Sequence, residues 1–214
     1  MGQDAIYEYL LSFVRKDDLI VNMEQYAAEH SVPIMDPLGM EFMLQQMRLI
    51  EPKAILEIGT AIGYSAIRMA QALPDVQIVT IERHEQRYEK AKEYIKQAGL
   101  EDRISLIFGD ALETFEQARA HGQFDVIFVD AAKGQYQRFF EIYERLLRDK
   151  GVIITDNVLF HGLVVAGTET IENRRRRSLI RKIKSYNEWL MTHSAYDTTI
   201  FPIGDGVAVS KKKR

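Results

Sequence analysis

Over residues 4–50, apolar side chains recur at the three-and-four spacing of helices. From residue 54 onward the pattern changes to short, nearly continuous apolar runs separated by amphipathic stretches. Ile6, Leu10, Leu11 and Val14, then Leu19, Ile20, Met23 and Tyr26, predict two helices within 4–30. Pro33 and Pro37 bracket a short extended link, and a third helix starting at Pro37 carries Phe42, Met43, Met47 and Leu49. Strands are expected at Ala54–Gly59, Gln77–Glu82, Ile104–Asp110, Phe124–Asp130 and Gly151–Asp156, with helices near 64–72, 85–98, 111–120 and 136–148 between them. Runs this rich in Val, Ile, Leu and Phe suit parallel strands buried on both faces, hence an α/β fold. A basic helix over about 170–191 follows. Thr198–Ile203 and Val207–Lys211, joined by Gly204-Asp-Gly206, then predict a hairpin closing one sheet edge. The N-terminal helices are expected to cap the sheet, their methionines serving as core.

Length and composition narrow this little: 214 residues with 46% hydrophobic content suit one domain spanning 1–214. The absence of cysteine removes disulfides and thiolate chemistry. The polar start and the lack of an apolar run of membrane-spanning length lead us to expect a cytoplasmic protein without a membrane partner. Charge distribution changes the picture more. Residues 1–170 hold 17 Lys/Arg against 27 Asp/Glu, whereas 171–214 hold 11 against 4. The end of the chain is therefore a basic object on an acidic body.

The stretch Ala54 to Ser65 reads as strand, glycine turn and helix start, the local form of a nucleotide-type site. Gly59 lets the backbone leave the strand sharply, and Gly63 is expected to remove a Cβ from the path of a ligand. The dinucleotide fingerprint would need glycine at 61 and glycine or alanine at 64, but the chain has Ala61 and Tyr64. Glu57-x-Gly59-x-x-x-Gly63, with Glu82 ending the next strand 23 positions after Gly59, suits an adenosyl ligand whose ribose hydroxyls meet a carboxylate. Met35, in the link ahead of this strand, is a further candidate ligand contact.

Ligands in open parallel sheets sit beyond the carboxyl ends of the strands, where Glu57, Glu82, Asp110, Asp130 and Asp156-Asn157 fall. A single terminal aspartate is more often a helix N-cap. Two carboxylates and an amide oxygen on adjacent strands would repel unless a hard cation joined them, and an oxygen-only set favours Mg²⁺ over zinc. Lys133, three residues after Asp130, is either a solvated surface charge or a group that takes or stabilises a hydroxyl proton beside that cation.

Glu57-x-Gly59-Thr-Ala-x-Gly63-Tyr-Ser65, Val129-Asp-Ala-Ala-Lys133, Thr155-Asp-Asn-Val158 and Ile203-Gly-Asp-Gly206, in this order, resemble the motifs of cation-dependent O-methyltransferases of the catechol and caffeoyl-CoA type. With Pro33 to Gly39 included, the whole chain is most similar to the bacterial branch that methylates 5-hydroxyuridine in tRNA. The resemblance implies a Rossmann-like class I methyltransferase fold, a seven-stranded mostly parallel sheet with an antiparallel edge hairpin and N-terminal capping helices. It implies S-adenosyl-L-methionine as cofactor, its amino-acid end meeting Met35, Glu57, Gly59 and Ser65, its ribose Glu82, and its adenine Asp110 and Ala111. Gly63, Tyr64, Arg83 and Asp130 complete the cofactor-binding set. Asp130, Asp156 and Asn157 are implied as ligands of Mg²⁺, with Asp130 and Lys133 as the catalytic pair. One departure stands out: catechol enzymes carry Ser-Gln for the adenine, and this chain has Asp110-Ala111.

The implied reaction is one in-line displacement. A hydroxyl chelated together with a neighbouring oxygen, and deprotonated with the help of Lys133, attacks the sulfonium methyl. Catechol offers two adjacent oxygens, and so does 5-hydroxyuracil. Residues 171–184 carry seven positive charges and one negative. With Arg174, Arg175, Arg176, Arg177, Arg181 and Lys182 as candidate phosphate contacts, they favour an RNA substrate, the wobble uridine of a tRNA anticodon loop. A small catechol or phenylpropanoid substrate, and a non-catalytic RNA-binding module, are the alternatives. A homodimer is expected from the family, through the N-terminal helices or Leu159–Val165.

Overall fold

A computed structural model of the chain describes residues 3–165 and 173–213. Helices α1 (Gln3–Leu11), α2 (Asp18–Glu29) and α3 (Pro37–Ile50) precede β1 (Ala54–Ile58), α4 (Tyr64–Ala72), β2 (Gln77–Glu82), α5 (Glu85–Gln97) and β3 (Ile104–Phe108). Then come α6 (Phe115–Arg119), β4 (Phe124–Val129), α7 (Tyr136–Tyr143), β5 (Leu147–Thr155), α8 (Arg174–Thr192), β6 (Tyr196–Phe201) and β7 (Val207–Lys212). Helix starts follow local chemistry. The Asp17 carboxylate accepts from the Ile20 amide at 2.8 Å, and Asp36 accepts from Leu38 and Gly39, both at 3.0 Å, with Pro37 at the first turn. Asn173 caps α8 in the same way, accepting from Arg176 at 3.1 Å.

The seven strands form one sheet in the order β3-β2-β1-β4-β5-β7-β6. β1 to β5 run parallel, β7 is antiparallel to β5, and β6 is antiparallel to β7, so the expected hairpin closes one edge. Alternate strand residues feed two cores. Ile55, Val126, Phe128 and Ile154 face the core built with Met23, Met43 and Met47 of α2 and α3, while Leu56, Ile127, Val129 and Ile153 face α7 and α8. Period-two alternation with both faces buried explains why the strands read as unbroken apolar runs. The methionines of α2 and α3 are core, as expected.

Boundaries shift where tertiary pairing overrides local signals. β5 begins at Leu147, not Gly151. Leu147 pairs with Phe124, and the register shift between Phe124 and Val126 absorbs Arg148-Asp-Lys150, a sequence that reads locally as a turn. α7 accordingly ends at Tyr143 in a short 3₁₀ turn, and α6 is shorter than 111–120 because the Asp110 carbonyl accepts from Glu113 and Thr114 in a turn of its own. β6 starts at Tyr196 and stops before Pro202, which cannot donate to the ladder. The helix expected over 170–191 runs 174–192. Residues 170–172, and Arg214 of the terminal basic run, lie outside the described residues. No described helix is long and apolar enough to cross a membrane.

Candidate active site

Strand order reverses between β1 and β4, where helices leave on opposite faces and a crevice opens beyond the strand tips. Gly59 sits at that point with φ +105°, its amide donating to the Ile81 carbonyl at 3.1 Å. A Cβ there would lie 2.0 Å from the Asp130 carbonyl oxygen. The glycine is thus fixed by the close approach of β4, whose Asp130 amide donates to the Ile58 carbonyl at 2.9 Å. Gly63 has a different role from the one expected. Its φ of +89° starts α4, and a Cβ would touch Ala91 and Ile67 at ordinary contact distance, not a ligand.

A cleft of about 260 Å³ follows the tips. Of the expected cofactor residues, Gly59, Glu82, Arg83, Asp110, Ala111 and Asp130 line it, and Lys133 and Asn157 close one end. The buried Glu82 carboxylate accepts the Ala61 and His84 amides, both at 2.8 Å, which fixes it at the head of α5. Asp110 accepts from the Leu112 amide at 2.9 Å and from Arg83 at 3.2 Å. The amide first, then the guanidinium, holds its carboxyl below the usual range despite partial burial.

Met35, Glu57, Gly63, Tyr64 and Ser65 do not line the cleft. Met35 is buried under the start of α3, and Pro33 of the same link reaches the cleft instead. Glu57 is fully buried one layer below. It accepts the Ser65 hydroxyl and, at 2.5 Å, the Thr80 hydroxyl, and Thr80 in turn takes the Thr60 hydroxyl. Burial pushes its carboxyl up to about 7, with Asp130 and Glu82 adding to the rise against those two hydrogen bonds. Tyr64 points the other way, donating to Glu24 at 2.7 Å while Arg68, paired with Glu41, donates to it at 3.2 Å. Sequence reasoning missed Pro33, Arg87 and Phe139 as lining residues. Arg87 carried a readable signal, since it lies in the first turn of the helix that starts three residues after Glu82.

Just past the ends of β4 and β5, Asp130 and Asn157 line the closed end of the cleft and Asp156 is buried beside them without lining it. Desolvation raises both carboxyls, more strongly at Asp156, where the neighbouring Asp130 charge is the next cause. Asn157, at φ +58°, donates its amide to Asp156 at 3.0 Å and accepts the Lys133 ammonium on its oxygen. The Asp130 carboxylate takes no hydrogen bond among the described residues. Among the described residues no group of three or more His, Cys, Asp or Glu is placed to hold a metal. The set is two carboxylates and an amide oxygen. Two desolvated, mutually repelling carboxylates with one ammonium beside them lack positive charge, and hard oxygen donors fit a divalent ion such as Mg²⁺.

Tyr136 donates to the Asp156 carbonyl at 2.9 Å and fixes the tip from below. Tyr186 and Trp189 pack with Tyr136 and Phe140 in an aromatic cluster beneath α8, as core. Arg174, Arg175 and Arg176 are exposed on the first turn of α8 and Arg177 is half-buried, while Arg181 and Lys182 border a second groove that also touches Lys133.

The family model described as O-methyltransferase matches residues 10–213. A caffeoyl-CoA O-methyltransferase of Medicago sativa is 30% identical over 99% of this chain and 90% of its own length. A crystal structure from Staphylococcus aureus, described provisionally as a caffeoyl-CoA O-methyltransferase, is 38% identical with TM-score 0.92, covering 99% of this chain and all of the other. An O-methyltransferase from Bacillus cereus in complex with SAH is 28% identical, TM-score 0.84, covering 98% and 97%.

Proposed function

The chain belongs to the O-methyltransferase family, and from that premise we propose that it moves the methyl of S-adenosyl-L-methionine to the 5-hydroxyl of the wobble uridine in a tRNA anticodon loop. The observation that carries the reading is the cleft itself: Glu82 and Asp110 toward one end, Asp130, Lys133 and Asn157 at the other, with Arg181 and Lys182 of α8 in the adjoining groove.

In this reading Glu82, fixed by two backbone amides, turns its remaining lone pairs to the ribose, and Asp110 with Ala111 borders the base. Gly59 keeps the turn narrow enough for the cofactor to lie on main chain. Asp130, Asp156 and Asn157 would hold a divalent ion, and the chemistry it would supply when bound is positive charge that favours the ionised hydroxyl. Lys133, released from Asn157, takes the hydroxyl proton when it is the neutral amine, or as the ammonium neutralises the negative charge left on the oxygen. The cleft walls align that oxygen with the methyl carbon, where most of the rate gain arises. Cytoplasmic residence and a homodimer belong to the same reading, the exposed Ile6, Tyr9, Leu10 and Phe13 supporting the latter.

A small catechol or phenylpropanoid thioester is the second reading, favoured by the names of the Medicago and Staphylococcus relatives. Methyl transfer measured by mass spectrometry on 5-hydroxyuridine tRNA, caffeate and caffeoyl-CoA separates the two. Turnover confined to the phenylpropanoids ends the tRNA reading, and turnover undiminished by a chelator ends the assignment of the ion.

A further inference from the structure

Resting on the tRNA reading, we infer that the groove between α8 and the turn carrying Lys133 seats a backbone phosphate of the substrate, held by Arg138, Arg181 and Lys182. The groove encloses about 470 Å³ and is walled by residues 133–138 on one side and a single face of α8 on the other. That face is fixed by the core. Ile180, Ile183, Tyr186 and Leu190 are buried, so Ser178, Arg181, Lys182 and Ser185, at helical spacing on another side, are presented to the groove.

The stem of Lys182 lies along Gly134, where an added Cβ would meet its Cδ at 3.7 Å and its Nζ at 3.8 Å. Its ammonium is thereby brought against the turn that bears Lys133. Among the described residues neither Arg181 nor Lys182 forms an ion pair, and Arg138 donates to the neutral Gln135 at 3.1 Å while its charge also acts at longer range on Asp110. Glu141, the one acid lining the groove among the described residues, accepts from Gln137 at 2.8 Å. Several cations elsewhere on the body are matched by acids: Lys16 with Glu24, Arg68 with Glu41, Arg83 with Asp110, Arg148 with Asp125. Convergent unmatched cations repel one another, and an anion in the groove relieves that repulsion. Two guanidinium forks, an ammonium and two serine hydroxyls match the oxygens of a phosphate.

Lys133 lines both this groove and the cofactor cleft, so an anion held here lies beside the reacting hydroxyl. Arg174 and Arg175, on the exposed first turn of α8, do not line the groove and act on approach, not on seating. A coenzyme A thioester carries the same phosphate chemistry, and the test distinguishes the two sources.

The full chain bearing Arg181→Gln with Lys182→Gln, and separately Arg138→Gln, is assayed on four substrates. These are a 5-hydroxyuridine anticodon stem–loop, the free nucleoside 5-hydroxyuridine, caffeoyl-CoA and caffeate, with S-adenosylhomocysteine affinity as the check on folding. The double variant is expected to raise KM for the stem–loop about tenfold or more and lower the slope of log affinity against log salt by about 2, with a much smaller KM change for the nucleoside. The charge-preserving exchange Arg181→Lys with Lys182→Arg restores most of the KM. Unchanged stem–loop KM and salt slope, or equal losses on stem–loop and nucleoside, overturn the groove. If the wild type turns over only caffeoyl-CoA, the tRNA reading falls and the groove is judged on its own. A KM rise for caffeoyl-CoA that caffeate does not share supports a phosphate seat, and equal changes overturn it.

Discussion

Two clusters of like charge lie either side of Lys133, and they behave differently. At the strand tips, Asp130 and Asp156 are carboxylates taken out of water within one site, and desolvation drives both toward protonation. On α8, Arg174, Arg175, Arg176, Arg181 and Lys182 stand in solvent, where water and salt screen them. Each charge at the tips is set by the strand that carries it, and exchanging one changes the chemistry of the whole site. On the helix the sum and the face matter, and single exchanges shift affinity by small steps.

The sharpest way to break this contrast is Asp130→Ala. We expect turnover to fall at least about 10³-fold, the scale of several kcal/mol of lost charge stabilisation. The melting temperature should stay equal or rise, because one of two repelling desolvated carboxylates is gone. Activity within tenfold of wild type would remove Asp130 from the chemistry. Lys133→Met should cost roughly 10²- to 10⁴-fold in kcat, the range of general acid–base groups, with cofactor affinity by calorimetry little changed. A loss confined to KM would make Lys133 a binding group.

Glu57 sharpens the buried side. Its carboxyl rises from about 4.5 to about 7 on folding, so the folded state binds the proton more tightly. Its contribution to stability is therefore fully present below about 4.5 and lost as pH climbs through about 7, on the order of 3 kcal/mol. Denaturant titrations of the cofactor-free protein between pH 5 and 8 should show that decline, and Glu57→Gln should flatten it. An identical slope in the variant would assign the decline to other groups.

On the exposed side, Arg174→Glu with Arg175→Glu should weaken tRNA binding several-fold and lower the salt slope, leaving kcat nearly unchanged. The same salt slope in variant and wild type would mean that these residues meet only water. The smallest effect belongs to Arg83→Ala. Its pair with Asp110 at 3.2 Å is largely solvent-exposed, worth under about 1 kcal/mol, so cofactor affinity should change less than about fivefold.

Much of the site was legible because strand tips are local features. An acid or glycine ending an apolar run sits at a tip whatever the partner strands are, and Gly59, Glu82, Asp110 and Asp130 followed from that. Side-chain direction was less legible. Glu57 precedes Gly59 by only two positions, yet Thr80 and Ser65 draw its carboxylate into the layer beneath the cleft. Met35 and Pro33 belong to one link, and packing under α3 buried the methionine while leaving the proline at the rim. Arg138 gave no signal, because its partners in the groove come from α8, more than forty residues further on.

The sequence by itself determined the alternation of buried strands and helices, the positions of the glycine turn and the terminal acids, and the concentration of positive charge near the chain's end. These depend on periodicity, backbone conformation and composition within short windows. Only the tertiary structure decided that β1 and β4 are neighbours, that Asp130 and Asp156 share one desolvated site, and that α8 lays Arg181 and Lys182 against the Lys133 turn. Parallel strands distant in sequence are paired by burying two apolar faces at once, and that condition exists only when the whole sheet is assembled.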